Sequence, residues 1–240
     1  MHPEQVVVVV PTYNEVTNLG HLAAAILFHG YRLVVVDDNS PDGTGAAAEE
    51  LAAAAHGLSV IHRPAKLGIG PAYAEGFARA FDLGAEVVVQ MDCDFSHNPE
   101  DVPRLVHSVE AGADMASGSR YVPGGGTPDW PWQRRLLSKG GNIYARAMLG
   151  IPVRDATGGF RAWKASSLAA LPYARAKASG YSFQVEMAMM AIDSGLAVAE
   201  VPIVFRDRTR GTSKMGPEIV REAMLLVTLW GIKRRLGRRS

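Results

Sequence analysis

The chain has 240 residues, 48% of them hydrophobic, and a formal net charge of +1 at pH 7, enough apolar material for one large α/β domain or two small ones and far from the composition of a disordered chain. So nearly neutral a balance makes no overall field to gather nucleic acid, so no nucleic-acid partner is expected and any basic function must be local. A single cysteine, Cys93, excludes an intrachain disulfide and a cysteine-rich zinc site and suits a reducing compartment.

The N-terminus, MHPEQ before five valines, has no positively charged leader or cleavage site, and its apolar run is too short for a bilayer, so a cytoplasmic chain without a spanning segment is expected. Residues 6–10 read as a buried strand. An alanine-rich helix follows to about Phe28, then a strand at 33–36, helical propensity over 45–55, a strand at 58–61 and a helix over 70–81. Residues 87–91, VVVQM, lack polar alternation and read as a strand covered on both faces. Pro99 opens another helix, and residues 115–117 form a strand. This is a βαβ series, whose right-handed crossovers predict a Rossmann-like, mostly parallel sheet flanked by helices, with carboxyl ends gathered along one edge.

Polar groups stand at each of those ends: Pro11-Thr12-Tyr13-Asn14-Glu15, then Asp37-Asp38-Asn39-Ser40-Pro41-Asp42, then His62-Arg63 with Lys66, then Asp92-Cys93-Asp94, then Ser119-Arg120. Any one is ordinary turn chemistry. Together they suit a nucleotide, with acids for ribose hydroxyls and base edges and cations for phosphates. Two close carboxylates at Asp92 and Asp94 favour a divalent cation. The plainer reading is that one aspartate begins a turn while Asn98 caps the next helix with Pro99 at its first position. No G-x-G-x-x-G follows the first strand and no P-loop motif occurs, so a bound diphosphate needs its charge met by a metal on the aspartates plus Arg or Lys. That combination fits a nucleotide-sugar donor.

PTYNE at 11–15, VDDNSPDGT at 36–44, QMDCDFSHNP at 90–99, GSRY at 118–121, DATGGFR at 155–161, GYSFQVEM at 180–187 and VPIVFRDRTRGTSK at 201–214 resemble the family-2 glycosyltransferases, and within them the polyprenyl-phosphate (dolichol-phosphate) mannosyltransferases. The resemblance runs in order through nearly the whole chain. It implies a glycosyltransferase A-type fold and inverting transfer of mannose from GDP-mannose to a polyprenyl phosphate, with magnesium or manganese as cofactor. Carried over by position, Pro11, Tyr13, Glu15, Val36 and Asp38 hold the guanosine with Lys66 nearby. Asp92 and Asp94 bind the metal with Ser96 as a weaker contact, and Asp92, Cys93 and Asp94 line the diphosphate. Arg120, Arg208 and Lys214 meet donor phosphates or the transferred sugar, making Asp94, Arg120 and Arg208 the candidate catalytic residues. Arg134 and Ser138, four apart on one helical face, meet the acceptor phosphate. Two positions depart from the family's habit: Cys93 stands where alanine is frequent, and Ser96 offers a hydroxyl, a weaker ligand than carboxylate.

Simpler readings stand beside these. Tyr13 and Phe160 also suit plain packing, Glu186 a paired helix residue, and Arg134 with Arg135 a solvated face. Gly124-Gly125-Gly126 among prolines reads as a flap at the acceptor site or as a linker to the helix near Leu136. The seven histidines show no zinc spacing. A lipid monophosphate is largely a dianion at neutral pH and can attack the anomeric carbon without a protein base. The same rim would also serve a polyprenyl-phosphate glucose synthase using UDP-glucose, a nucleotidyltransferase, or a non-catalytic nucleotide-sugar-binding regulatory domain. The expected division is a catalytic domain over 1–216 and, over 217–240, an interfacial helix. Its apolar run AMLLVTLWGI precedes Lys233, Arg234, Arg235, Arg238 and Arg239. That pattern suits a buried closing helix or, given a lipid acceptor, a peripheral protein docked on the bilayer or on a membrane-anchoring protein partner.

Overall fold

Five consecutive valines leave no face for water, and β1 (Val6–Thr12) is accordingly buried on both sides inside a seven-stranded sheet. A computed structural model describes residues 1–176, 180–207 and 217–237. The strands β2 (Arg32–Asp37), β3 (Leu58–His62), β4 (Val87–Gln90), β5 (Met115–Ser119), β6 (Arg161–Lys164) and β7 (Val198–Pro202) complete the sheet, in the order β3-β2-β1-β4-β6-β5-β7. Pairings among β1 to β4 are parallel, as is β5 with β7. β6 runs antiparallel to both β4 and β5. It therefore separates the fourth and fifth strands that the βαβ pattern makes consecutive, and it brings its amino end, not its carboxyl end, to the functional edge.

Alternate valines of β1 serve opposite cores. Val6, Val8 and Val10 pack with Leu19, Leu22 and Ile26 of α1 (Val16–Phe28), with Ala48 of α2 (Thr44–Ala54) and with Leu105 of α4 (Val102–Glu110). Val7 and Val9 pack with Tyr73 and Phe77 of α3 (Ile69–Asp82) and, farther along the sheet, Phe183 and Met187 of α7 (Gly180–Asp193) complete that core. Each fully covered valine contributes on the order of 1.5–3 kcal/mol. Gly76 lets α3 lie directly on the sheet, since a Cβ there would stand 2.2 Å from Val9 Cγ1.

A third cluster lies off the sheet, where α5 (Trp132–Leu149), α7 and α8 (Pro217–Gly237) meet through Leu149, Val185, Ala188 and Val227. A short helix α6 (Ala165–Ala169) follows β6. No described helix is long and apolar enough to cross a membrane.

Candidate active site

The loops after β1 and β2 are tied together by their own side chains. Thr12 Oγ1 donates to Asp37 Oδ1 at 3.0 Å, Ser40 Oγ donates to the same oxygen at 2.6 Å, and Asn14 N donates to Ser40 Oγ at 3.0 Å. Asn14 and Asn39 both sit at positive φ, a conformation asparagine tolerates better than most side chains. Pro11 and Val36 are cross-strand partners, but the Val36 side chain is buried in the core, so only its backbone can serve a ligand. Asp38 pairs with buried Arg63, whose Nε also donates to Glu75 at 2.9 Å. Burial raises the Asp38 pKa, and Arg63 does not fully offset it. Lys66 Nζ lies 4.0 Å over the Tyr13 ring, placing an aromatic face and a cation side by side at the rim. Glu15 takes a hydrogen bond from Asn18 Nδ2 at 2.8 Å.

β4 delivers the aspartates. Asp94 is buried, and its Oδ1 accepts from Ser96 N at 3.0 Å and from Ser96 Oγ at 2.6 Å. In this arrangement the Ser96 proton fixes the carboxylate's rotamer. The tight turn places Phe95 at φ 58°, a left-handed conformation that costs a non-glycine residue on the order of 1 kcal/mol. Cys93 points into the core, and burial first, then Glu15, Asp94 and Asp92, raises its thiol pKa well above the ordinary range. The Asp92 side chain is 37% exposed. Its backbone N–H donates to Nδ1 of buried His97 at 3.4 Å, which makes that nitrogen the acceptor. His97 stacks on Phe160 at 5.0 Å and meets Phe205 edge-on at 5.4 Å. Burial, only partly opposed by Asp94, lowers the His97 pKa to about 4, so the ring is neutral where the protein works. Asn98 Oδ1 accepts from Glu100 N at 3.2 Å, so the capping reading of this stretch holds together with the carboxylate pair.

No group of three or more His, Cys, Asp or Glu able to hold a metal occurs among the described residues. A paired carboxylate with one partner partly open is nevertheless the donor set that magnesium or manganese takes when substrate phosphates supply the remaining oxygens. The pair fits an ion that arrives with a diphosphate better than a resident structural ion.

The second half of the site is basic. Arg120 is gripped by Asp155 through Nε to Oδ2 at 2.7 Å and Nη2 to Oδ1 at 2.6 Å, and Nη2 also donates to Thr157 Oγ1 at 2.8 Å. Burial pushes the Asp155 carboxyl up, but the charge and hydrogen bonds of Arg120 outweigh it and hold the pKa below the ordinary value. The guanidinium also faces the rings of Trp130 and Phe205, each 5.4 Å away. Phe205 thus touches both His97 beside Asp92 and Arg120, joining the acidic and basic halves. On α5, Ser138 Oγ accepts from Tyr121 Oη at 2.6 Å. Arg134 Nη1 reaches Asp207 Oδ1 at 2.5 Å and stacks 4.0 Å over Trp130. The glycine loop meets the chain just after β7 through Gly126 N to Ile203 O at 3.0 Å and Phe205 N to Gly126 O at 2.9 Å. Arg208, Lys214, Arg238 and Arg239 lie outside the described residues.

From Arg120, Ser138 and Thr157 an apolar cavity of about 360 Å³ runs between α5, α7 and α8, walled by Leu136, Tyr144, Val185, Met224 and Val227. Sequence reasoning missed this groove because its walls come from three helices far apart in the chain. It also gave no role to Asp155, Arg161, His97 or Gln184. The first two lie in DATGGFR, where a charged pair flanking two glycines was the available signal.

The family model for glycosyl transferase family 2 matches residues 7–171. The polyprenol monophosphomannose synthase of Mycolicibacterium smegmatis is 45% identical over 239 residues, covering 98% of this chain and 90% of that protein. The undecaprenyl-phosphate mannosyltransferase of Micrococcus luteus is 43% identical over 235 residues, covering 96% of each. Among solved structures, glucosyl-3-phosphoglycerate synthase from Mycobacterium tuberculosis, in complex with Mn2+, UDP and glucosyl-3-phosphoglycerate, superposes with a TM-score of 0.67 at 22% identity, covering 97% of this chain and 80% of that one.

Proposed function

The chain belongs to glycosyl transferase family 2, and from that membership we propose that it transfers mannose from GDP-mannose to a polyprenyl monophosphate with inversion, giving polyprenyl-phosphate mannose and GDP. The names of the two relatives support the sugar and the acceptor class. One observation carries the acceptor half: an apolar groove begins at Arg120, Ser138 and Thr157, so an anionic head and a hydrocarbon tail are met by one continuous surface.

In this reading Tyr13, Glu15, Asp38 and Lys66, with the backbones of Pro11 and Val36, hold the guanosine. Cys93, its side chain in the core, offers the diphosphate only its backbone. Asp92 and Asp94 would hold magnesium or manganese, with Ser96 fixing Asp94. The ion, when bound, supplies positive charge where negative charge gathers on the leaving nucleoside diphosphate. Arg120, already oriented by Asp155, adds a fixed cation that needs no reorganisation, and Arg208 and Lys214 supply further positive charge. Arg134 and Ser138 receive the acceptor phosphate, whose two charges displace Asp207 from Arg134. A phosphate oxygen then attacks the anomeric carbon as the bond to the departing GDP breaks. The nucleophile is already ionised, so no protein base is required, and neutral His97 is held too deep among aromatic rings to act as one.

The acceptor's tail remains in lipid, so the groove must lie at a bilayer surface. Leu225, Leu229, Ile232 and Leu236 form an exposed stripe at helical spacing on α8, and Trp132, Leu136 and Ile143 are exposed on α5, which packs against it. Lys233 and Arg235 flank the stripe, and each basic residue near an anionic leaflet contributes about 1 kcal/mol. The protein is thus a peripheral one, seated by α8 together with α5, on lipid or on a membrane-anchoring partner. Titration calorimetry with Mn2+ tests the donor: saturable GDP-mannose binding is expected, and binding of UDP-glucose alone would replace this reading with a polyprenyl-phosphate glucose synthase.

A further inference from the structure

A second cavity, of about 480 Å³, borders α5, and mannose transfer leaves it unused. Its walls include Tyr121, Gly126, Thr127, Arg135 and Lys139, and it shares only Arg120 with the acceptor groove. Arg135 and Lys139 are four apart on α5 and so lie on one face. They stand one residue beyond Arg134 and Ser138, a rotation of about 100° around the helix, so this face is not the one that receives the acceptor phosphate. Two loop carbonyls orient Arg135, through Nε to Trp130 O at 3.1 Å and Nη2 to Pro128 O at 3.4 Å. Those bonds leave its charge uncancelled. Among the described residues no carboxylate pairs with Arg135 or Lys139: Asp207 is taken by Arg134, and Asp129 is not among the cavity's walls. Arg120 is already balanced by Asp155, so the positive charge of the cavity comes from the α5 pair.

What belongs there follows from charge and surroundings. A guanidinium fork and an ammonium one helical turn apart suit a phosphate oxygen set, the first by directed hydrogen bonds and the second as a point charge. Beside them on α5, Trp132 and Leu136 are 68% and 65% exposed. They share a face that adjoins the one bearing Arg135 and Lys139. Cations next to an unburied apolar strip are the pattern of an element seated at a lipid surface. A free phosphate would use the cations and leave the strip in water, whereas a lipid uses both, its head in the cavity and its hydrocarbon against Trp132 and Leu136.

We propose that this cavity holds the phosphodiester head of an anionic bilayer lipid, with Arg135 and Lys139 on the phosphate, as a second lipid site apart from the acceptor's. It rests on the peripheral placement above for the source of its ligand and on nothing in the transfer step. Calorimetry on the full chain with dihexanoyl phosphatidylglycerol, below its micelle concentration, is expected to give saturable binding, with dihexanoyl phosphatidylcholine and inorganic phosphate each at least about tenfold weaker. Arg135→Gln with Lys139→Gln is expected to weaken phosphatidylglycerol binding at least about tenfold. Gly126→Leu keeps every charge. A Cβ at Gly126 meets nothing within 4 Å and its φ is outside the left-handed region, so leucine grows into the open space and is expected to weaken binding by about the same factor. Both variants should hold the parent's thermal midpoint. Unchanged binding in Gly126→Leu would reduce the site to diffuse surface charge and overturn the proposal. Binding that both variants keep and geranyl phosphate displaces would place the lipid in the acceptor groove, and inorganic phosphate binding as tightly would make the ligand a free anion; either result overturns it. Failure of mannose transfer beside the expected phosphatidylglycerol binding would remove the transferase reading and leave this site standing.

Discussion

At the scale of single residues, the aspartate pair and Asp155 do different work and their substitutions should separate. Asp94→Asn keeps the side chain's size and its capacity to accept from Ser96 but removes a charge. Turnover is expected to fall at least 100-fold, with a far-ultraviolet circular dichroism spectrum like the parent's; full turnover after exhaustive chelation would remove the metal from the account. Asp155→Asn instead leaves the Arg120 charge buried without its counterion. It is expected to cost about 3 kcal/mol or more in urea unfolding. Its pH dependence has a definite sign. The Asp155 carboxyl is held below its ordinary value of 3.8 in the fold, so the unfolded chain binds the proton first on acidification. The stability it contributes is complete well above pH 3.8 and is lost as pH falls through the lower, folded value. Between pH 5 and pH 3 the parent should therefore lose more stability than Asp155→Asn, and equal slopes would contradict the pairing. The Asp-x-Asp pair was legible in the sequence because it ends an apolar strand. Asp155 was not, since what makes it matter is contact with an arginine 35 positions away.

Among elements, α8 best shows how pattern and packing divide the information. The run AMLLVTLWGI is apolar on nearly every side, which suits a core helix and an interfacial helix equally. Packing separates the faces. Val227 is buried against α5 and α7, Gly231 stands so close to α5 that a Cβ would lie 2.7 Å from Met148 O, and Leu225 and Leu229 are exposed. Deleting the helix would therefore damage a core, whereas point charges on its outer stripe should not. Leu225→Glu with Leu229→Glu is expected to change unfolding free energy by no more than about 0.5 kcal/mol per substitution and to lower recovery in flotation with anionic liposomes severalfold. Recovery equal to the parent's would leave α8 as a closing helix only. β6 illustrates the opposite case. Four residues without alternation, RAWK, give no strand signal, and their antiparallel place between β4 and β5 is decided by long-range pairing that no local period records.

For the whole molecule, the βαβ order of the first half and the gathering of polar loops at one sheet edge were readable from valine runs and turn residues alone. The acceptor groove was not, because three helices separated by many residues close it. The central claim is that those two halves form one transferase: an edge that holds a nucleotide sugar and a groove that holds a lipid phosphate. The most direct measurement incubates the purified full chain with Mn2+, labelled GDP-mannose and vesicles carrying polyprenyl phosphate, and identifies the lipid product by mass spectrometry and its anomeric configuration by nuclear magnetic resonance. The account predicts a mannosyl phosphoryl lipid of inverted, β configuration, formed in step with GDP release. GDP-mannose hydrolysed without a lipid product, or a lipid carrying glucose from UDP-glucose alone, would contradict it.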